Sequence, residues 1–160
     1  MQRVTQKSTK ITAIASDVSK SITDLPNKPD QRALARWAAD CAEHVLPYFE
    51  EKYPKDERPR KAIEAVRAWV RGEIRVGEAR TTAVAAHAAA RDARGAGQDA
   101  ACFAARAAGH AAGTAHVAGH AKGAAAYAIK AASAHSNDVD NSIIKERNWQ
   151  LQRLHRIADV

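Results

Sequence analysis

Aromatic residues are scarce in this 160-residue chain: three Trp, three Tyr and two Phe. A platform that stacks single-stranded bases needs successive aromatic rings along a basic groove, so that class is excluded. Sulfur is scarce too, with one Met and two Cys. Cys41 and Cys102 lie far apart in apolar, helix-like contexts. That pattern excludes a disulfide framework and predicts two buried free thiols. No stretch of about 18 strongly apolar residues occurs. The Ala/Gly-rich segment 100–134 is interrupted by Arg106, Lys122, Lys130 and three histidines, so it predicts no membrane span. "MQRVTQKSTKITAIASD" lacks the apolar core of about 7–15 residues that a secretory signal needs, which predicts a cytoplasmic protein. There is no GxSxG nucleophile elbow, and "RGAGQD" follows a helix-like segment rather than a strand, so no phosphate cradle is expected.

What the chain has in abundance is alanine, about a quarter of its residues. Alanine loses no side-chain entropy in a helix and is the best helix former. With few β-branched residues and no alternating pattern, the expectation is an all-α, single-domain bundle of about five to six helices. Alanine buries little area, so such helices must approach closely, and Trp37, Phe49, Trp69, Phe103, Tyr127 and Trp149 must carry disproportionate weight. The formal charge is +7, but Lys and Arg are interleaved with acids and never run longer than two. A solvated basic surface is the plain reading, and nucleic-acid binding is the less favoured one.

Residues 1–29 are rich in Ser, Thr and Lys and read as a variable segment, with Ile11, Ile14, Val18, Ile22 and Leu25 spaced for a short amphipathic helix over 8–24. Pro26 and Pro29 then break the chain, and residues 30–160 form the predicted domain. Asp30 caps a helix over 31–53 whose apolar face holds Leu34, Trp37, Ala38, Cys41, Val45, Tyr48 and Phe49, with Arg36, Asp40, Glu43 and Glu50 opposite and a kink at Pro47. A helix over 59–75 presents Ile63, Val66, Trp69, Val70 and Ile74, with Glu73 inside the apolar arc. A helix over 78–94 carries the stripe Arg80, Val84, His87, Arg91 and Arg94. Alanine-rich helices follow over 98–112 and 114–134, with Gly113–Thr114 a kink between them. The last helix places Val139, Ile143, Leu151, Leu154 and Ile157 on one face.

The chemistry-bearing stretch is "AAGHAAGTAHVAGHAKGAAAYA", residues 107–128. His116 and His120 stand four apart, a spacing that presents two imidazoles to zinc from one helix face. The set is incomplete: there is no intervening Glu, and a third ligand would have to come from His44, His87, Asp40 or Glu73. His110 points well away from His116 on an ideal helix. Gly109, Gly113, Gly119 and Gly123 share a broad half of the helix with His116, His120 and Tyr127. Glycine inside a helix costs ~1 kcal/mol against alanine, so these glycines predict a bulky neighbour that needs the room. The favoured expectation is therefore a buried polar network of Asp40, His44, Glu73, His87, Arg91, His110, His116 and His120 that fastens close-packed helices. Metal binding at His116 and His120 is the alternative. No catalytic residue and no cofactor is predicted.

The stretches "RWAADCAEHVLPYFE", "DERPRKAIEAVRAWVRGEI", "AAHAAARDA", "AARAAGHAAGTAHVAGHAKGAAAYAIKAA" and "ERNWQLQRL" cover most of residues 30–155 in order. On them the chain resembles a family of small bacterial immunity proteins of polymorphic toxin systems. The resemblance implies an all-helical fold and a non-enzymatic role, binding and neutralising a cognate toxin. It supplies no catalytic residues. Since the chain is basic, the toxin is expected to offer an acidic patch. Exposed alanine faces fit a monomer or a homodimer.

Overall fold

The computed structural model describes Val18 and residues 20–158. Among them are seven α-helices and no strand: α1 Gln31–Val45, α2 Pro47–Glu50, α3 Arg58–Val70, α4 Val76–Gly95, α5 Asp99–Gly113, α6 His120–His135 and α7 Val139–Ala158. The class is all-α as expected, with one helix beyond the five to six. Pro47 is the reason: it has no amide hydrogen to continue α1, and it starts α2 at the first helical turn. Asp30 caps α1 by accepting the Ala33 amide at 2.8 Å. The expected helix over 8–24 lies mostly outside the described residues. Its last turn, 20–23, is helical, and Val18, Ile22 and Leu25 are buried in the main core.

Two boundaries differ from the periodicity. α3 ends at Val70 rather than 75, because Gly72 takes φ 76° and turns the chain. Glu73 and Ile74 thus lie beyond the helix. The segment expected as one helix over 114–134 starts only at His120. Residues 114–119 form turns, and Gln31 Nε2 donates to the Thr114 and Ala115 carbonyls at 2.9 and 3.1 Å. Those bonds satisfy carbonyls at the C-terminal end of α5 that the helix itself leaves open.

α5 is the hub, packing against α1, α2, α3, α4 and α6. Its buried residues are alanines, glycines and Cys102, so neighbours approach on almost every side. Phe103, Arg106 and His110, at i, i+3 and i+7, form its one stripe of large side chains, and all three are half-buried. The large apolar side chains anchor the rest. Trp37, Phe49, Leu46, Ile63, Ile143 and Leu154 are fully buried, each contributing ~1.5–3 kcal/mol against ~0.8 for one buried methylene-sized group. Trp37 also donates its indole Nε1 to the Gln150 carbonyl at 2.9 Å, which ties α1 to α7.

Candidate functional site

The polar residues singled out in the sequence fall into two separate groups. The first is a histidine seam between α4, α5 and α6. His110, on the large-residue stripe of α5, lies edge-on to His87 of α4, with ring centroids 5.2 Å apart, and stacks on Tyr127 of α6 at 5.2 Å. Its Nδ1 is 3.1 Å from Nδ1 of His120. Arg106 Nη1 stands 3.1 Å from His87 Nδ1. The glycines make this possible. A Cβ on Gly109 would fall 2.6 Å from the His87 ring, one on Gly123 2.6 Å from His110, and one on Gly113 3.2 Å from His120. The expected bulky neighbours are therefore the imidazoles themselves. Gly119 has no such role, since only Val117 comes within 4.0 Å of the same construction.

Electrostatics oppose protonation of two of the seam's imidazoles, His110 and His87. Burial, followed by the neighbouring His87, His120 and Arg106, pushes the His110 pKa down to about 4. Burial, Arg106, Arg91 and His120 lower that of His87. Where His110 and His120 meet through Nδ1, one ring nitrogen must donate and the other accept. Among the described residues, no group of three His, Cys, Asp or Glu could hold a metal ion. His116 is exposed in the turn before α6 and does not share a helix face with His120. The turn at 114–119 breaks the single helix expected there, folds α6 back and brings His110 and His120 together, while His116 stays apart.

The second group is a charged clamp on α1, α3 and α7. Asp40, only 8 % exposed, accepts Arg67 Nη1 on Oδ1 at 2.9 Å and Arg153 Nε on Oδ2 at 2.8 Å. One carboxylate thus fastens three helices. The expectation that Asp40 faces outward from the apolar side is corrected, because α3 and α7 cover it. Beside it, His44 Nδ1 lies 2.9 Å from Glu146 Oε2, and its ring stacks on Trp149 at 3.8 Å. Asp40, Glu43, His44, Arg67, Trp149 and Arg153 line a groove of about 490 Å³. Glu43 is itself engaged by Arg60 at 2.7 Å.

Two members of the expected network, Glu73 and His116, stand apart from both groups, and a third, Arg91, touches the seam only through its charge on His87. Glu73, beyond the end of α3, is exposed and pairs with Arg71 at 2.7 Å. Arg91 and His116 are exposed. The histidines are fastened by Arg106, by Tyr127 and by one another rather than by Glu73, Asp40 or Arg91.

Sequence reasoning missed Arg67, Arg153, Arg106, Glu146 and Gln150. A signal existed for two of them. Glu146 and Gln150 stand at i+3 and i+7 from Ile143, on the apolar face of α7, and are 5 % and 0 % exposed. Gln150 Nε2 donates to the Ala125 carbonyl at 2.9 Å. Polar residues on an apolar face announce a partner.

Fold and site together define an all-α, alanine-rich domain whose polar side chains chiefly tie helices to one another. A family model described as "Imm-5 like putative immunity protein" matches residues 24–157, and the chain belongs to that immunity-protein family. No curated protein and no solved structure matches it. No helix among the described residues is long and apolar enough to cross a membrane.

Proposed function

We propose that this protein neutralises a cognate bacterial toxin by direct binding in the cytoplasm, without chemistry of its own. Membership of the immunity-protein family over residues 24–157 carries the reading. The site geometry supports it. The carboxylates and imidazoles that could serve acid–base chemistry are engaged in fastening helices: Asp40 by two arginines, Glu146 by His44, and His110 by His120. The result is a rigid scaffold, which keeps the entropy cost of binding low. The net charge of +7 favours a toxin with an acidic contact patch.

The test is co-expression with the toxin domain encoded in the adjacent reading frame. Cells should survive toxin induction only when this chain is present, and the two proteins should co-purify. Survival that is indifferent to this chain sinks the reading.

A further inference from the structure

Most arginines of α3 and α7 with a resolved partner are neutralised inside the molecule. Arg58 pairs with Asp56 and Asp92, Arg60 with Glu43 and Glu50, Arg67 and Arg153 with Asp40. α4 differs. Arg80, Arg91 and Arg94 are exposed and have no carboxylate partner among the described residues. The two carboxylates of α4 are already engaged, Asp92 by Arg58 and Glu78 by the Arg75 amide. Arg80, Val84, His87, Arg91 and Arg94 fall at i, i+4, i+7, i+11 and i+14, one face about 21 Å long at 1.5 Å per residue.

α5 adds to the same face. Arg106 reaches His87, and both Arg91 and Arg106 act electrostatically on that ring. Arg94 and Arg106 both act on Cys102, where Asp99 is the one opposing carboxylate. The exposed Arg91 and Arg94 of α4 thus lie on the side of the molecule where Arg106 of α5 meets His87. On that α4 face Val84 is 67 % exposed, the most exposed large apolar side chain among the described residues.

We propose that this α4 face, with Arg106 of α5 beside it, is the surface that docks the toxin, and that it fits an acidic protein patch with an apolar centre. The proposal rests on the immunity reading above and names the contact surface for it. Free guanidiniums complement carboxylates with directional, paired hydrogen bonds. Val84 selects a protein over a nucleic acid, because a phosphate backbone gives an apolar side chain nothing to cover it. Single-stranded nucleic acid would also draw on stacking Phe, Tyr or Trp rings, which this stripe lacks.

The experiment measures binding by titration calorimetry of the full chain to two probes: the purified toxin domain from the adjacent reading frame and a 20-base-pair DNA duplex. The variants are the triple reversal Arg80→Glu, Arg91→Glu, Arg94→Glu, the single Val84→Asp, and the control Arg156→Glu on α7, which packs on α1 and α6. Circular dichroism verifies that each is folded, which their exposure favours. The expected result is toxin binding that weakens at least about 100-fold in the triple variant and about 10-fold in Val84→Asp, with the control within about threefold. Toxin binding that survives the triple reversal overturns the surface and leaves the immunity reading standing. No toxin binding by the unmodified chain overturns both. DNA binding that the triple reversal abolishes, without toxin binding, assigns the face to nucleic acid and overturns the proposal.

Discussion

His110 and His120 meet Nδ1 to Nδ1 at 3.1 Å across the turn that joins α5 to α6. Ten residues separate them, and on one continuous helix they would not meet. The contact exists because α6 folds back on α5, and because Gly113 and Gly123 leave room for the two rings.

The first prediction follows from that room. Gly123→Ala gains ~1 kcal/mol in helix propensity, but its Cβ would stand 2.6 Å from His110 Nδ1 and 3.0 Å from Cγ. The ring root cannot swing clear as a chain end could, and overpacking costs ~1–3 kcal/mol. Net destabilisation of up to about 2 kcal/mol is expected by urea denaturation. In Gly123→Ala combined with His110→Ala the helix gain should reappear as a positive coupling. Gly77→Ala, where nothing lies within 4 Å, should be neutral or slightly stabilising.

Stability should depend on pH through the same seam. The folded pKa of His110 is about 4 against an ordinary 6.5, so between those values the unfolded chain binds more protons. Its contribution is therefore complete above about pH 6.5 and is lost as pH falls toward 4. His87, lowered in the same direction, adds to the slope. The seam is open to water on one side, and screening holds the His110 part to about 1–2 kcal/mol. Urea midpoints at pH 8, 6 and 4.5 should fall in that order, and His110→Gln should flatten the dependence. An unchanged slope in that variant would remove His110 from this role.

The Asp40 clamp should be asymmetric. Asp40→Ala removes the buried carboxylate and leaves Arg67 and Arg153, whose side chains are 31 % and 41 % exposed and can hydrate. A cost of about 1.5–3 kcal/mol is expected. Arg67→Ala with Arg153→Ala leaves the carboxylate buried and unpaired and should cost more, about 3–5 kcal/mol. Thermal unfolding of the three proteins checks the order.

Cys41 and Cys102 are both buried and free. Burial raises both thiol pKa values, that of Cys41 strongly. The native protein should react with a thiol reagent at pH 8 only slowly, and both sites should label fully in denaturant. Rapid native labelling of Cys41 would contradict its placement on the buried face of α1.

The apolar faces were legible because burial there follows local periodicity. Trp37, Cys41, Val45 and Phe49 were read onto one face of the first helix, and all are buried. The helix class was equally legible from alanine, whose preference is local. The need for space at Gly109, Gly113 and Gly123 could be read from the helix penalty each carries, but not which ring would fill it. The clamp partners were beyond reach. Asp40 meets Arg67 and Arg153 at sequence separations of 27 and 113 residues, and no periodicity links positions so far apart.

The sequence by itself determined the all-α class, the core-facing stripes and the basic stripe on α4, because all three follow from side-chain spacing along a single helix. Only the tertiary structure decided that His110 finds His120, that Asp40 is enclosed rather than solvated, and that Glu73 lies outside the core. Each depends on where one helix ends and on which neighbour then covers it. A glycine at φ 76° after α3 and a six-residue turn before α6 settle that through packing between helices, which spacing along one helix does not encode.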